Sequence, residues 1–96
     1  MNKLVVTGEV VQLDTLRYTP AGLPLLSFVV QHRSEQTEAE MQRKVECEVP
    51  VIAIGKIAEQ AKAIQMASQV KLAGFLAKRS LKSSQLVLHL NAFEII

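Results

Sequence analysis

From Val70 to Ile96 the chain reads as two apolar stretches divided by a purely cationic tip. Val70-Lys-Leu-Ala-Gly-Phe-Leu-Ala77 predicts one strand and Gln85-Leu-Val-Leu-His-Leu-Asn-Ala-Phe93 another. The tip, Lys78-Arg-Ser-Leu-Lys-Ser-Ser84, holds three cations, three serines and no acid. A polar tip between two apolar strands signals a hairpin. Positive charge alone at that tip points to something anionic. Val70, Leu72 and Leu76 share one face by period two, with Gly74 where a side chain would crowd a bend. Leu86, Leu88 and Leu90 are their expected partners.

What precedes this hairpin limits the fold further. Leu4-Val-Val-Thr-Gly-Glu-Val-Val11 is β-branched and predicts a first strand, with Gly8 marking a bulge or bend. Leu16 to Pro24 is a turn, and Pro20-Ala21-Gly22 fits type II, with Pro and Ala central or Ala and Gly central. Leu25 to His32 predicts a second strand. Its faces are Leu26, Phe28, Val30, His32 and Leu25, Ser27, Val29, Gln31. Arg33 to Gln42 lacks apolar periodicity and predicts a mobile hairpin loop. Arg43 to Val51 predicts a third strand, with Val45, Cys47, Val49 and Val51 buried and Lys44, Glu46, Glu48 and Pro50 wet. Lys56 to Ala67 is the one helix, with Ile57, Ala58, Ala61 and Ile64 on its apolar face. Three strands, a helix and two strands is the layout of an all-β OB-fold. That is a five-stranded Greek-key barrel with the helix between strands three and four. At 96 residues, the whole chain (1–96) makes a single domain.

Composition removes several function classes. Hydrophobic residues make up 49%, enough for a packed core. The net charge is only +2, so any polyanion argument rests on where the cations sit. Cys47 is the only cysteine, which excludes an internal disulfide and suits a reducing cytoplasm. Leu4-Val5-Val6 is too short for a signal-peptide core, and Val49 to Ile54 is too short to cross a membrane. The expectation is a soluble, cytoplasmic, non-enzymatic domain with no membrane contact, metal or cofactor. Gly55-Lys56 lacks the rest of a phosphate loop. His32 and His89 have no partner at metal-ligand spacing. Cys47, on an apolar face, reads as a buried structural thiol. The glutamates from Glu35 to Glu48 read as a solvated face compensated by Arg43 and Lys44.

The cations carry the chemistry. In an OB-fold, the loops after strand one and between strands four and five are where oligonucleotides bind. Arg17 falls in the first loop, and Lys78, Arg79 and Lys82 fall in the second. Arg33, Arg43 and Lys44 flank the loop between strands two and three. Together they would rim one side of the barrel. Tyr18 is the one exposed aromatic platform expected, because Phe28, Phe75 and Phe93 lie within strands as core. Binding should therefore lean on phosphate contacts.

Lys3-Leu-Val-Val-Thr-Gly8, Thr19-Pro-Ala-Gly-Leu-Pro24, Phe28-Val-Val-Gln-His-Arg-Ser34, Cys47-Glu-Val-Pro-Val51 and Gly74-Phe75 followed by Leu86-Val-Leu-His89 resemble the primosomal replication protein N family. The resemblance spans nearly the whole chain in order. It implies an OB-fold homodimer, related to single-stranded-DNA-binding protein, that binds single-stranded DNA in the replication-restart primosome. It also implies stimulation of the primosomal helicase and recruitment of a loading factor. By similarity, Arg17, Arg43, Lys78, Arg79 and Lys82 take the family's DNA-facing basic positions. The family can carry aromatics around strand three where this chain has Met41 and Glu46. Two readings follow: a sequence-independent DNA binder, or an adaptor bridging helicase and loader with incidental DNA contact.

Overall fold

Two long strands dominate the molecule, and their pairing is the first departure from the sequence expectation. The computed structural model describes residues 1–96. Its elements are β1 (Leu4–Leu13), β2 (Arg17–Tyr18), β3 (Pro24–Glu38), β4 (Met41–Ile54), α1 (Lys56–Gln60), a 3-10 turn (Ala61–Ala63), β5 (Gln69–Lys78) and β6 (Leu86–Ile95). The sheet runs β1-β5-β6-β4-β3-β2, and a β1–β3 pairing closes it into a barrel. β4 and β6 pair in parallel and the other ladders are antiparallel. Five strands build the barrel wall, and β2 is a two-residue edge beside the start of β3.

The expected loop from Arg33 to Gln42 is mostly strand. β3 and β4 pair without a break from Leu25↔Ile54 to Glu38↔Met41. The turn is only Ala39-Glu40, both with positive φ (52° and 65°). That is the backbone of a type I′ hairpin turn, whose twist matches that of its strands. Period-two alternation is absent here because both faces are wet. The β1–β3 ladder starts at Glu9↔Gln31, and the β4–β6 ladder covers only Val51 and Ile52. The outer part of the hairpin is thus a two-stranded arm. This also corrects Cys47. It lies on the core-side face as expected but is exposed, because no third strand covers that face.

The helix is shorter than Lys56–Ala67. After Ala63 the chain turns extended at Ile64 (ψ 134°). The Val10 N–H donates to Ser68 O at 2.9 Å, and the Ala67 N–H donates to Val10 O at 2.9 Å. Bonds to β1 therefore replace another helical turn. The predicted apolar face still packs inward, with Ala58, Ala61 and Ile64 buried and Ile57 against them. They close the barrel over Val10, Leu26, Phe28, Val30, Val51, Val70, Leu72, Leu88 and Leu90. Leu88 is buried opposite Leu76, whereas Leu86, opposite Lys78, is exposed.

The turn before β3 also differs in type. The Gly22 N–H donates to Thr19 O at 2.8 Å, which makes Pro20 and Ala21 central. The positive φ falls on Gly22, one residue beyond, so this is a type I turn followed by a left-handed glycine. The β1 irregularity lies between Val10 and Gln12 and not at Gly8. Gly8 answers to crowding: a Cβ there would sit 2.8 Å from the Gln31 carbonyl oxygen.

Candidate nucleic-acid interface

The outer face of β4 changes character along its length. Lys44, Glu46 and Glu48 give way to Pro50, Ile52 and Ile54 on the same side. Cross-strand register puts Val29 beside Pro50 and Ser27 beside Ile52. These half-buried residues floor a cleft of about 390 Å³. Gln12, Asp14 and Arg17 line it from the β1–β2 side, Lys78 and Arg79 from the end of β5, and His89 from β6. An apolar floor suits the flat faces of bases, and cations at the mouth suit phosphates.

The sequence-predicted cations divide into two groups. Arg17, Lys78 and Arg79 meet at the cleft, and none of them takes part in an ion pair. Arg33, Arg43 and Lys44 lie on the arm instead. Arg33 Nε is 3.8 Å from Glu46 and Arg43 Nη1 is 2.9 Å from Glu38. Both pairs are exposed, so each contributes about 0–1 kcal/mol and opens readily. Arg33, Lys44 and Glu46 share a shallow depression with Ser34 and Glu35. Lys82 sits on the exposed β5–β6 loop outside the cleft lining, as Tyr18, 63% exposed, does on β2. The single continuous rim of cations is therefore replaced by a cleft and an arm. Met41 is exposed at the arm's tip.

Phe75 corrects a second expectation: it is 39% exposed and not core. Its ring stacks on His89, with centroids 4.9 Å apart and planes 10° from parallel. Since His89 also lines the cleft, this aromatic pair adjoins the cleft wall. The parity of Val70, Leu72 and Leu76 places Phe75 on the outer face, which is the signal that could have found it.

His32 adds a side-chain bond between β3 and β1 just beyond the end of their ladder. A carbonyl only accepts, so Nδ1–H donates to Thr7 O at 2.7 Å. The ring's Nε2 is hydrogen-bonded to the Ser34 hydroxyl at 2.8 Å, and Gln36 donates to that hydroxyl oxygen at 3.1 Å. Apart from this bond, β1 from Leu4 to Gly8 has a strand on one side only, namely β5.

Comparison with known proteins bears on this arrangement. Residues 2–92 match a family described as another single-strand binding protein family. The replication restart protein PriB of Nitrosomonas europaea is 42% identical over 95 residues, 99% of this chain and 88% of that one. The protein of the same name from Proteus mirabilis is 37% identical over 98 residues, covering 99% and 93%. Among solved structures, priB from Ralstonia solanacearum superposes with a TM-score of 0.87 at 28% identity, covering 100% of this chain and 99% of that one. A single-stranded DNA binding protein from Thermus aquaticus shares the fold, with a TM-score of 0.80 at 20% identity over 100% of this chain and 50% of that one.

Proposed function

Because this chain belongs to the single-strand binding family that its residues 2–92 match, we propose that it binds single-stranded DNA independently of sequence, as a replication restart accessory of the primosome. The observation that carries this reading is the cleft, where an apolar floor lies between three cations that have no carboxylate partner. Bases lie on Val29, Pro50 and Ile52 while Arg17, Lys78 and Arg79 take phosphates. Tyr18, Lys82 and the arm cations Arg33, Arg43 and Lys44 contact the strand on either side. The working partners are the primosomal helicase, which it stimulates, a loading factor and single-stranded-DNA-binding protein. Such a role places it in the cytoplasm, and no helix is long and apolar enough to cross a membrane.

Fluorescence anisotropy with an unstructured oligonucleotide at two salt concentrations tests the reading. Wild type should bind, and more weakly as salt rises. Phe75→Ala should weaken binding about fivefold, toward the low end of base–aromatic stacking, with an unchanged salt slope because stacking releases no counterions. Binding that ignores salt counts against the phosphate contacts.

A homodimer belongs to the same proposal. Val5 is 50% exposed on the part of β1 whose second edge has no neighbouring strand. An open edge with apolar side chains invites a second copy. Sedimentation at micromolar concentration should give twice the monomer mass, and a stable monomer sinks this part of the proposal.

One observation favours the adaptor reading. Leu81 is 96% exposed between Arg79 and Lys82, on the loop that follows the cleft residues Lys78 and Arg79. An apolar side chain held in water suits a protein partner better than a phosphate chain. If Leu81→Asp abolishes helicase stimulation while DNA binding persists, the loop serves the helicase.

A further inference from the structure

Asp14 lines a cleft whose charged groups are otherwise all cations, yet nothing in the protein engages its carboxylate. The cleft also holds Arg17, Lys78 and Arg79. No ion pair or side-chain hydrogen bond involves Asp14. A cleft that served phosphates alone would lose affinity by keeping an acid there.

The backbone puts it there by a specific device. Val10 pairs with Val30, and both are buried in the core. With an unbroken register, period two would send Gln12 and Asp14 to the same inner side. Instead the register shifts between Val10 and Gln12, leaving Val11 as the extra residue. Gln12 then pairs with Val29, on the cleft face, and Leu13 pairs with Phe28, on the core face. The Asp14 N–H donates to Ser27 O at 3.0 Å, which extends the new phase by one residue. Both Val29 and Ser27 line the cleft. Bulges of this kind re-aim side chains.

We infer that Asp14, with Gln12 beside it, reads base edges, so that the cleft takes bases inward and discriminates among them. This rests on the single-stranded DNA reading above. A carboxylate is an acceptor only. Guanine offers it two donors on its Watson–Crick edge, N1–H and N2–H, in a bidentate arrangement. Cytosine and adenine offer one amino group each. Thymine offers N3–H alone, between two carbonyl oxygens that repel the carboxylate. The same negative charge turns phosphates toward Arg17, Lys78 and Arg79 at the mouth. The result is a bias in composition, guanine first and thymine last, and not recognition of a particular sequence.

The test compares two probes of equal length in lithium buffer, which disfavours guanine quartets: a thymine homo-oligomer and an alternating thymine–guanine oligomer. Wild type should bind the guanine-containing probe about tenfold more tightly, the scale of one good bidentate contact. Asp14→Ala should bring that ratio close to one, weakening binding to the guanine probe and tightening binding to thymine. Asp14 is exposed, so the variant should fold, and circular dichroism checks this. Glu48→Ala is the charge control. It removes one carboxylate from the outer face of β4 outside the cleft lining, and should tighten both probes alike. A wild-type ratio of one, a ratio that survives Asp14→Ala, or a uniform tightening like that of Glu48→Ala would overturn the inference. Binding of neither probe would overturn the single-stranded DNA reading itself, and this inference with it.

Discussion

Gly74→Ala should destabilise this protein more than alanine at any of its other three glycines. A Cβ at Gly74 would overlap the His89 carbonyl oxygen and lie 2.9 Å from its carbon. Both are backbone atoms of the adjacent strand, so no rotamer relieves the contact. Gly74 sits where the β5–β6 register shifts between Ala73 and Gly74, and the two backbones close in there. Prising them apart disturbs Leu88 and Leu90 in the core as well as the Phe75–His89 stack. Overpacking costs about 1–3 kcal/mol where side chains can yield, so about 3 kcal/mol or more is expected where they cannot. In a chain of this length that lowers Tm by roughly 12 °C or more. Gly22→Ala is the contrast: its surroundings are open and only its φ of 85° resists, a cost of about 1–2 kcal/mol. Thermal unfolding followed by circular dichroism ranks them. A Gly74→Ala protein no less stable than Gly22→Ala would mean that the strands do not approach this closely.

The second large effect is on DNA. Replacing Arg17, Lys78 and Arg79 together with alanine should weaken oligonucleotide binding by roughly ten- to a hundredfold near physiological salt. It should flatten the log–log salt slope by about 2, at about 0.7 per phosphate contact on a single strand. The fold should survive, since all three side chains are exposed and unpaired. Replacing Arg33, Arg43 and Lys44 should cost less, because Glu46 and Glu38 already hold two of them. Anisotropy titrations of both triple variants across salt concentrations decide between the two paths. If the arm variant loses more, the strand runs along the β3–β4 hairpin. If neither loses affinity, the adaptor reading gains.

Much of this fold was legible in the chain because side-chain alternation is a local property. Leu26, Phe28 and Val30 had to share a face, as did Val70 and Leu72, and all five are buried. The strand-helix-strand order gave the barrel. Loop positions singled out Arg17, Lys78, Arg79 and Lys82; the cleft unites the first three and leaves Lys82 outside its lining. Even the cleft floor left a trace, since the outer side of β4 turns from Lys44, Glu46 and Glu48 to Pro50, Ile52 and Ile54.

Alternation says which residues share a face, but not whether anything covers it. Cys47 follows the same phase as Val49 and Val51. Only the core-ward part of that face is covered, because the ladders beside β3 and β4 stop near Gln31 and Val51. Lying within a strand put Phe75 among the expected core residues, against its own parity, and the structure places it outside. The helix ended early because Val10 offered backbone bonds from a distant strand. The bulge at Val11 reversed the phase of Gln12 and Asp14, and no local pattern announces a register shift. Local periodicity thus determined the strands and their inner faces. Long-range pairing decided where each face is covered, where the phase breaks and which charges meet at the cleft, because those depend on what lies beside a strand and not on what lies along it.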